Sequence, residues 1–345
     1  MARRLIPSHS PRWAFTAVLW TTAAIGGLAI CIAGFLWIGN PKASAPPQKI
    51  GVTFSAPYAR ELGLNWRDAL TAILDDLDVR QFRIPAYWSI VEPSEGQFNW
   101  SETDFEMDEI GRRNGRVTMA VGAKLPRWPE CWIPEWAASK PTREAQAARM
   151  NYLEAVVARY KNHPALEAWQ VENEALFPFG VCPKPDRAFF KQEIELVRTL
   201  DPNHPVYTTD SGELSTWISV GALVDQLGVS VYRVVLTPKG KIWRYTWIPP
   251  YWYARRAALV SFAVKNVYIS EFQMEPWANV AADPLSVQFR TFTPAHMASN
   301  FAFANRMGIR EISFWGVEWW WWMKTKHNDS RFWDLARIYF HAHPR

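Results

Sequence analysis

The stretch LEAWQVENE, residues 166–174, is a short run with strand character that ends in three polar side chains. We predict a strand over 166–171, and the amphipathic stretch 187–200 predicts a helix that ends at Asp201-Pro202. A strand followed by a helix is the repeating unit of a parallel sheet, because the helix returns the chain to the start of the next strand. The polar residues 172–174 therefore fall at the carboxyl end of a strand.

The same alternation continues in both directions along the chain. Further strands are predicted over 50–54, 80–86, 116–123, 206–209, 224–232, 266–269 and 311–314. Further helices are predicted over 66–77, 102–113, 142–161, 214–223, 253–263, 294–307 and 330–339. Eight such units predict an α/β fold of the closed (β/α)8 type, a TIM barrel. An open doubly wound sheet is the alternative, but no glycine-rich phosphate loop follows the first strand to support its nucleotide-binding version.

The N-terminal region predicts one transmembrane helix. Residues 14–38 carry no charge and are mostly apolar. At about 1.5 Å per residue this stretch is long enough to cross the roughly 30 Å hydrocarbon core of a bilayer. Arg3, Arg4 and Arg12 precede it, so the positive-inside rule leaves residues 1–13 in the cytoplasm and the rest of the chain outside.

We therefore predict a signal anchor that holds the protein at the cell membrane as a single-pass protein. A linker over 39–47, which contains three prolines, then leads to one extracytoplasmic barrel domain over 48–345. The alternative is a cleaved signal peptide, since Ala43-Ser44-Ala45 has the small residues of a cleavage site.

Charge and composition exclude several classes of function. The formal net charge is +5, and Arg3, Arg4, Arg12 and Lys42 supply four of these charges within residues 1–47, which contain no acidic residue. The remainder is therefore close to neutral, which gives no reason to expect a nucleic-acid partner. The histidines show no metal-ligand spacing, and no Gly-x-Ser-x-Gly elbow is present. We predict no metal and no cofactor.

Polar and aromatic side chains stand at the carboxyl ends of the predicted strands, where barrels of this type carry their active sites. Glu174 and Glu271 end the fourth and seventh strands and would face each other across the barrel mouth. Glycoside hydrolysis needs such a pair, one carboxyl to protonate the departing oxygen and one to attack the sugar or activate water. The full set of strand-end candidates is Arg83, Lys124, Asn173, Glu174, Glu213, Tyr232, Glu271 and Trp315.

Several of these positions resemble one enzyme group. Residues 169–174 resemble the fourth-strand motif of clan A glycoside hydrolases, especially their β-galactosidase members, and residues 268–272 are similar to the clan's seventh-strand nucleophile motif. The resemblance covers nearly the whole chain after the linker, in the same order. Its other parts are the second-strand motif 82–85, the loop 92–100, the sixth-strand end 228–232 and the eighth-strand end 313–315.

The resemblance implies a role for each matching residue. Glu174 would be the general acid/base, Asn173 its neighbour that holds the substrate 2-hydroxyl, and Glu271 the nucleophile. Arg83 and Tyr232 would hydrogen-bond Glu271 and keep it ionised. The clan is retaining, which implies two carboxyl groups about 5–5.5 Å apart. The resemblance thus implies a retaining hydrolase of β-glycosidic bonds, acting by double displacement on an extracytoplasmic oligo- or polysaccharide.

Sugar specificity is less well defined by the sequence. Trp315, Lys124 and Glu213 are predicted to contact substrate, although the two charged residues could equally be ordinary rim charges. The clan usually has proline, tyrosine or glycine after the acid/base, whereas Ala175 follows Glu174 here. A transglycosidase on the same scaffold is the alternative within enzymes. A non-catalytic surface barrel that binds glycan is the alternative from another class.

Other residues compete for the same roles. Glu172 and Glu275 lie close in sequence to the chosen carboxylates and are weaker candidates for them. The run 319–322 consists of four tryptophans, for which we favour sugar stacking by some of the rings. Packing over the barrel and contact with a membrane interface are the alternatives for this run.

Two cysteines are predicted to form a disulfide. Cys131 lies in the loop after the third strand and Cys182 in the loop after the fourth, and neighbouring barrel strands place these loops side by side. The oxidising compartment outside the membrane favours a bridge. Two free thiols are the alternative. We expect the catalytic domain to be monomeric.

Overall fold

The computed structural model describes residues 12–38, 45–237 and 239–343, and the chain divides into two compact units, 1–43 and 44–345. In the first unit, helix α1 spans Arg12–Trp37. Its part Ala17–Trp37 has a mean hydropathy of 1.9 and is long enough to cross a membrane, as a signal anchor or a signal sequence would be. Residues 1–11 of the predicted cytoplasmic segment and 39–44 of the predicted linker lie outside the described residues.

The second unit is a closed barrel of eight parallel strands, which confirms the predicted fold. Around the barrel the order is β1, β10, β9, β6, β5, β4, β3, β2 and back to β1. Every neighbouring pair is parallel. The strands are β1 Lys49–Thr53, β2 Gln81–Pro85, β3 Arg116–Val121, β4 Leu166–Val171, β5 Val206–Ser211, β6 Gln226–Val231, β9 Val267–Gln273 and β10 Glu311–Trp315. The predicted seventh and eighth strands are thus β9 and β10.

Helices connect consecutive strands and end close to the predicted limits in most units. Of the predicted helix 214–223, only the single turn Ile218–Gly221 is helical, and much of the remaining segment forms a loop. The helices of the barrel unit are α2 Ala56–Glu61, α3 Trp66–Asp75, α4 Trp88–Val91, α5 Ser101–Arg112, α6 Glu135–Ala138, α7 Thr142–Tyr160, α8 Arg187–Leu200, α9 Ile218–Gly221, α10 Trp252–Leu259, α11 Leu285–Gln288, α12 Pro294–Ala304, α13 Val317–Lys326 and α14 Arg331–Ala342.

The sequence patterns did not predict the short helices α2, α4, α6 and α11, the strands β7 and β8, or helix α13. Strands β7, Val234–Leu236, and β8, Ile242–Arg244, form an antiparallel hairpin between β6 and α10. Helix α13 contains the tryptophan run 319–322. A segment in which nearly every residue is a large aromatic shows no alternation of apolar and polar positions, which is the pattern that identifies an amphipathic helix.

The tryptophan run packs into the barrel layer. Trp319 and Trp320 are fully buried. The Trp319 indole donates to Gln288 Oε1 at 2.9 Å, and the Trp320 indole donates to the Met274 carbonyl at 2.7 Å. Trp321 packs against Trp333 with ring centroids 4.8 Å apart. Sugar stacking is therefore wrong for Trp319 and Trp320, because a helix turns these two side chains toward the core.

Candidate active site

The carboxyl ends of β2, β4, β6 and β9 bring the predicted polar residues into one hydrogen-bonded cluster. Arg83 contributes from β2, and Asn173 and Glu174 follow β4. Tyr232 follows β6, and Glu271 lies in the last part of β9. Parallel strands place these ends on one rim of the barrel, so residues far apart in sequence meet there.

Arg83 is the centre of the cluster. Its guanidinium donates from Nη1 to Glu271 Oε1 at 2.7 Å and from Nη2 to Asn173 Oδ1 at 2.6 Å. Its Nε donates to Gln170 Oε1 at 2.7 Å, and only 2% of the residue is exposed. The planar fork of an arginine matches several acceptors at once, so this one side chain fixes the β4 end relative to the β9 end.

Glu271 receives a donor on each carboxylate oxygen. Arg83 binds Oε1, and the Tyr232 hydroxyl donates to Oε2 at 2.8 Å. Burial and the charge of Glu271 raise the pKa of Tyr232 well above its usual range, so that side chain remains a hydroxyl donor. A cation and a hydroxyl that donate to different oxygens hold the Glu271 carboxyl group in one orientation. The pairing of β9 shifts register on both sides next to Glu271, which allows its side chain to point into the mouth.

Glu174 has a different environment from Glu271. Its Oε1 lies 2.5 Å from Ser230 Oγ, and its backbone N–H donates to Thr209 Oγ1 at 2.8 Å. Burial, followed by the negative charge of Glu271, raises the pKa of Glu174 to about 7. The carboxyl is thus partly protonated near neutral pH, as a general acid needs to be. Its φ of 46° lies in the left-handed region, which a non-glycine residue occupies only where the surroundings enforce it.

The amide of Asn173 has one orientation that satisfies its neighbours. Oδ1 accepts from Arg83 Nη2 and from Thr209 Oγ1, the latter at 2.7 Å. Two donors on this atom identify it as the oxygen. The Nδ2 donor therefore points away from Arg83 and reaches Glu130 Oε2 at 3.3 Å.

Glu130 is a third carboxyl in the cluster that the sequence did not indicate. It is 8% exposed. Burial first, and then the charges of Glu271 and Glu174, raise the pKa of Glu130 well above its usual range. It lies in the loop after β3, directly before Cys131. The predicted disulfide at Cys131 was the sequence feature that could have directed attention to this residue. Gly180 of the β4 loop packs so closely on Glu130 that a Cβ at 180 would collide with it.

A disulfide and a short hairpin hold the loops that follow β3 and β4. Cys131 and Cys182 form the predicted bridge, with Cα atoms 5.2 Å apart. Within the β3 loop, the Leu125 N–H donates to the Glu130 carbonyl at 2.7 Å. The Val181 N–H of the β4 loop donates to the Pro129 carbonyl at 3.0 Å. These contacts fix Glu130 beside the segment that carries Glu174.

Two residues predicted to contact substrate make internal contacts in the structure. Lys124 is buried, and its Nζ donates to the carbonyls of Glu174 at 3.0 Å and Phe177 at 2.7 Å. Glu213 accepts a hydrogen bond from the Tyr253 hydroxyl, and burial raises the pKa of Glu213 to about 8. Lys124 therefore supports the loop that carries Glu174.

Trp315 ends β10 and packs against a buried arginine. It is 7% exposed, and the guanidinium of Arg127 lies 4.0 Å from its ring centroid. The same guanidinium lies 3.7 Å from the Tyr58 ring.

The two competing carboxylates are engaged elsewhere. Glu172 accepts from the Ala123 N–H at 2.8 Å, the Lys124 N–H at 2.5 Å and Arg149 Nη1 at 3.1 Å. It ties the β4 end to the β3 loop.

Glu275 belongs to a separate buried ion network. It pairs with Arg127, and the Tyr58 hydroxyl donates to it at 3.2 Å. Arg127 also donates to Glu318 at 2.7 Å, and Glu318 in turn accepts the Ser55 N–H at 2.6 Å. Glu275 is thus paired with a different arginine from Arg83, the residue that joins Glu271 to Asn173 and Gln170.

A cavity lies among the loops that follow β3 and β4 and helices α6, α7 and α8. It has a volume of about 840 Å³, and Glu174 and Glu271 are not among its lining residues. Phe177 and Phe179 of the β4 loop are among them. Among the residues that the structure describes, no group of three or more His, Cys, Asp or Glu is arranged to hold a metal ion.

Comparisons with known proteins lead to the same class. The family model of the glycoside hydrolase 42 β-galactosidases matches residues 66–201. The chain is 30% identical over 125 residues to mannan endo-1,4-β-mannosidase F of Aspergillus fumigatus, which covers 36% of this chain and 24% of that protein. It is 32% identical over 105 residues to a β-galactosidase of Clostridium perfringens, covering 25% of this chain and 15% of that protein. The chain thus spans a quarter or less of the length of these curated relatives.

Solved structures share the fold. A β-galactosidase from the Antarctic haloarchaeon Halorubrum lacusprofundi superposes with a TM-score of 0.59 at 13% identity, over 85% of this chain and 57% of that chain. A glycoside hydrolase family 5 mannosidase from Rhizomucor miehei gives 0.55 at 13% identity, over 79% of this chain and 82% of that chain. The resemblance to clan A glycoside hydrolases, with β-galactosidase-type similarity, is confirmed, and the comparisons support a glycosidase.

We predict that Glu130, with its carboxyl group protonated, orients the side-chain amide of Asn173. Glu130→Gln keeps an acceptor oxygen and should retain most of kcat/KM for an aryl β-glycoside, with the alkaline limb of the pH profile unchanged. Glu130→Ala leaves the amide donor unpaired and should lower kcat/KM roughly tenfold to a hundredfold. Kinetics of both variants between pH 5 and 9 test this. Equal losses in the two variants would contradict it, as would a displaced alkaline limb in Glu130→Gln.

Proposed function

We propose that this protein is a retaining β-glycosidase that works by double displacement, with Glu271 as nucleophile and Glu174 as general acid/base. In the first step, a Glu271 oxygen attacks the anomeric carbon and forms a glycosyl ester. The bond from that carbon to the glycosidic oxygen breaks, and Glu174 transfers its proton to the departing oxygen. The enzyme then holds a covalent glycosyl group, and Glu174 is a carboxylate.

In the second step, the Glu174 carboxylate removes a proton from water, and the resulting nucleophile attacks the anomeric carbon. The ester bond to Glu271 breaks, and both carboxyl groups return to their starting states. Two inversions at one carbon retain its configuration. The first step leaves Glu271 without its negative charge, so the pKa of Glu174 falls when it has to act as a base.

The observation that carries the proposal is that the two carboxyl groups have different hydrogen-bond partners. Glu271 is held by Arg83 and by the Tyr232 hydroxyl, whereas Glu174 is held by the hydroxyl of Ser230. Burial and then the charge of Glu271 raise the pKa of Glu174 to about 7, so Glu174 can supply a proton to the departing oxygen. A barrel that only binds glycan has no need for this difference, which argues against the non-catalytic alternative. A transglycosidase would use the same cluster with a sugar hydroxyl in place of water.

The substrate class rests on similarity. The related proteins are named β-galactosidases and β-mannosidases, so we propose a β-linked oligo- or polysaccharide as the substrate. We further propose that the barrel acts outside the cytoplasm, attached through helix α1. The disulfide between Cys131 and Cys182 fits an oxidising compartment.

Replacement of the nucleophile tests the mechanism. Glu271→Ala should reduce hydrolysis of an aryl β-glycoside by roughly a thousandfold or more, because no covalent intermediate can form. Added azide should fill the space and attack from the same side, giving a glycosyl azide of inverted configuration, which NMR identifies. Glu275→Ala is the matched control, since it also removes a buried carboxylate that pairs with an arginine. The assignment fails if azide rescues the Glu275 variant and leaves the Glu271 variant inactive.

Membrane attachment has its own test. The full chain should remain in the membrane fraction after a carbonate wash, with an N-terminus that includes helix α1. Sequencing of the mature N-terminus in the native cell decides the matter. A mature chain beginning near Pro46 would show cleavage and release of the barrel.

A further inference from the structure

The hairpin formed by β7 and β8 is built directly onto the catalytic strands. It begins two residues after Tyr232, and the Val234 N–H donates to Gln273 Oε1 at 2.9 Å. Gln273 Nε2 donates back to the Val234 carbonyl at 2.8 Å. Gln273 lies two residues after Glu271 on β9, so one amide side chain clamps the base of the hairpin beside the nucleophile.

One face of the hairpin carries a row of aromatic rings. Trp243 lies in the returning strand β8, Tyr245 follows that strand, and Trp247 lies in the turn after it, so the three rings follow one another along the chain. Their ring centroids are 6.3 Å and 6.4 Å apart in succession. Trp243 and Trp247 are 51% and 52% exposed. On the other face, Arg244 Nη2 donates to the Arg290 carbonyl at 3.1 Å and fixes the strand to the barrel.

The segment around the hairpin has a one-sided charge. Residues 226–270 contain no aspartate or glutamate, although the chain as a whole has 33 of them in 345 residues. Lys239 and Lys241 at the hairpin turn are exposed. The cations of this segment are Arg233, Lys239, Lys241, Arg244, Arg255, Arg256 and Lys265. The two exposed lysines at the hairpin turn can pair with negative groups on a bound chain.

The base of the hairpin lies at the catalytic cluster. Val234, the first residue of the hairpin, follows Tyr232 by two residues, and Gln273, which binds Val234, follows Glu271 by two residues. A chain lying on the hairpin face would therefore lead toward Glu271.

We propose that the hairpin face, defined as Lys239, Lys241, Trp243, Tyr245 and Trp247, binds a polyanionic glycan whose next residue enters the catalytic cluster. Aromatic faces stack on the C–H faces of sugar rings, and the lysines pair with carboxylate, phosphate or sulfate groups on the same chain. The inference rests on the proposed function, since it concerns the part of the substrate that lies beyond the cleaved bond. Contiguity with Tyr232 and Glu271 favours a glycan over a membrane surface as the occupant.

The test measures binding by the full chain in zwitterionic-lipid nanodiscs, with Glu271→Gln present to prevent turnover. The probes are polygalacturonate and alginate as polyanions, mannan and galactan as neutral glycans, and discs that contain phosphatidylglycerol. Affinity for a polyanion should exceed affinity for the neutral glycans at least tenfold and should fall as salt is added. The polyanion should also protect Lys239 and Lys241 from an amine-reactive reagent, as read by mass spectrometry.

Variants then locate the surface. Lys239→Gln with Lys241→Gln, and Trp243→Ala with Trp247→Ala, should each weaken polyanion binding roughly fivefold to tenfold. Ile338→Ala and Lys326→Gln are the controls, one an exposed apolar residue and one an exposed lysine elsewhere, and should leave binding unchanged.

Three results would overturn the inference. They are equal affinity for neutral and charged glycans, unchanged binding in both hairpin variants, and protection of the lysines by phosphatidylglycerol discs with no glycan binding. The last result would identify a membrane surface. Because binding is measured without turnover, a failed hairpin prediction leaves the azide test of the catalytic pair unaffected, and the reverse also holds.

Discussion

The buried ion pair between Arg83 and Glu271 is the interaction on which the rest of the site depends. A guanidinium that is 2% exposed is stable only if its donors are satisfied, and loss of its partner would cost about 3–5 kcal/mol. Glu271, Asn173 and Gln170 satisfy them from two other strands. Arg83 also donates to the Asn173 oxygen, and it holds in place the Glu271 carboxylate whose charge adds to burial in raising the pKa of Glu174.

A second set of contacts holds the acid/base loop from behind. Lys124 donates to the carbonyls of Glu174 and Phe177, and Glu172 accepts two N–H groups of the β3 loop. Glu172 and Glu174 both have positive φ, a conformation that costs free energy and persists only under such constraint. The disulfide joins the same two loops and closes a separation of 51 residues, worth about 4 kcal/mol in the chain-entropy model. These contacts thus hold the carboxyl group of Glu174 in place without taking part in the proposed reaction.

Sequence patterns were sufficient for the barrel and for residues at strand ends, because strand order alone determines which ends meet. They could not identify Glu130. Its hydrogen bond with Asn173 depends on positive φ at Arg127 and Glu130, in the loop after β3. Lys124 stands at a strand end as predicted, yet its flexible side chain turns to backbone carbonyls, which no motif specifies. The tryptophan run was interpreted as a sugar-stacking surface because indole rings stack on sugars. The geometry of helix α13 instead determines which of the rings face the core.

The central claim is that burial, together with the charge of Glu271 that Arg83 holds in place, keeps the proton on Glu174. The most direct measurement is the pKa of the Glu174 carboxyl, from infrared difference spectra against Glu174→Gln, in the wild type and in Glu271→Gln. The account predicts a pKa of about 7 in the wild type and a clearly lower value when Glu271 is neutral. A Glu174 pKa that is the same in both proteins would contradict it.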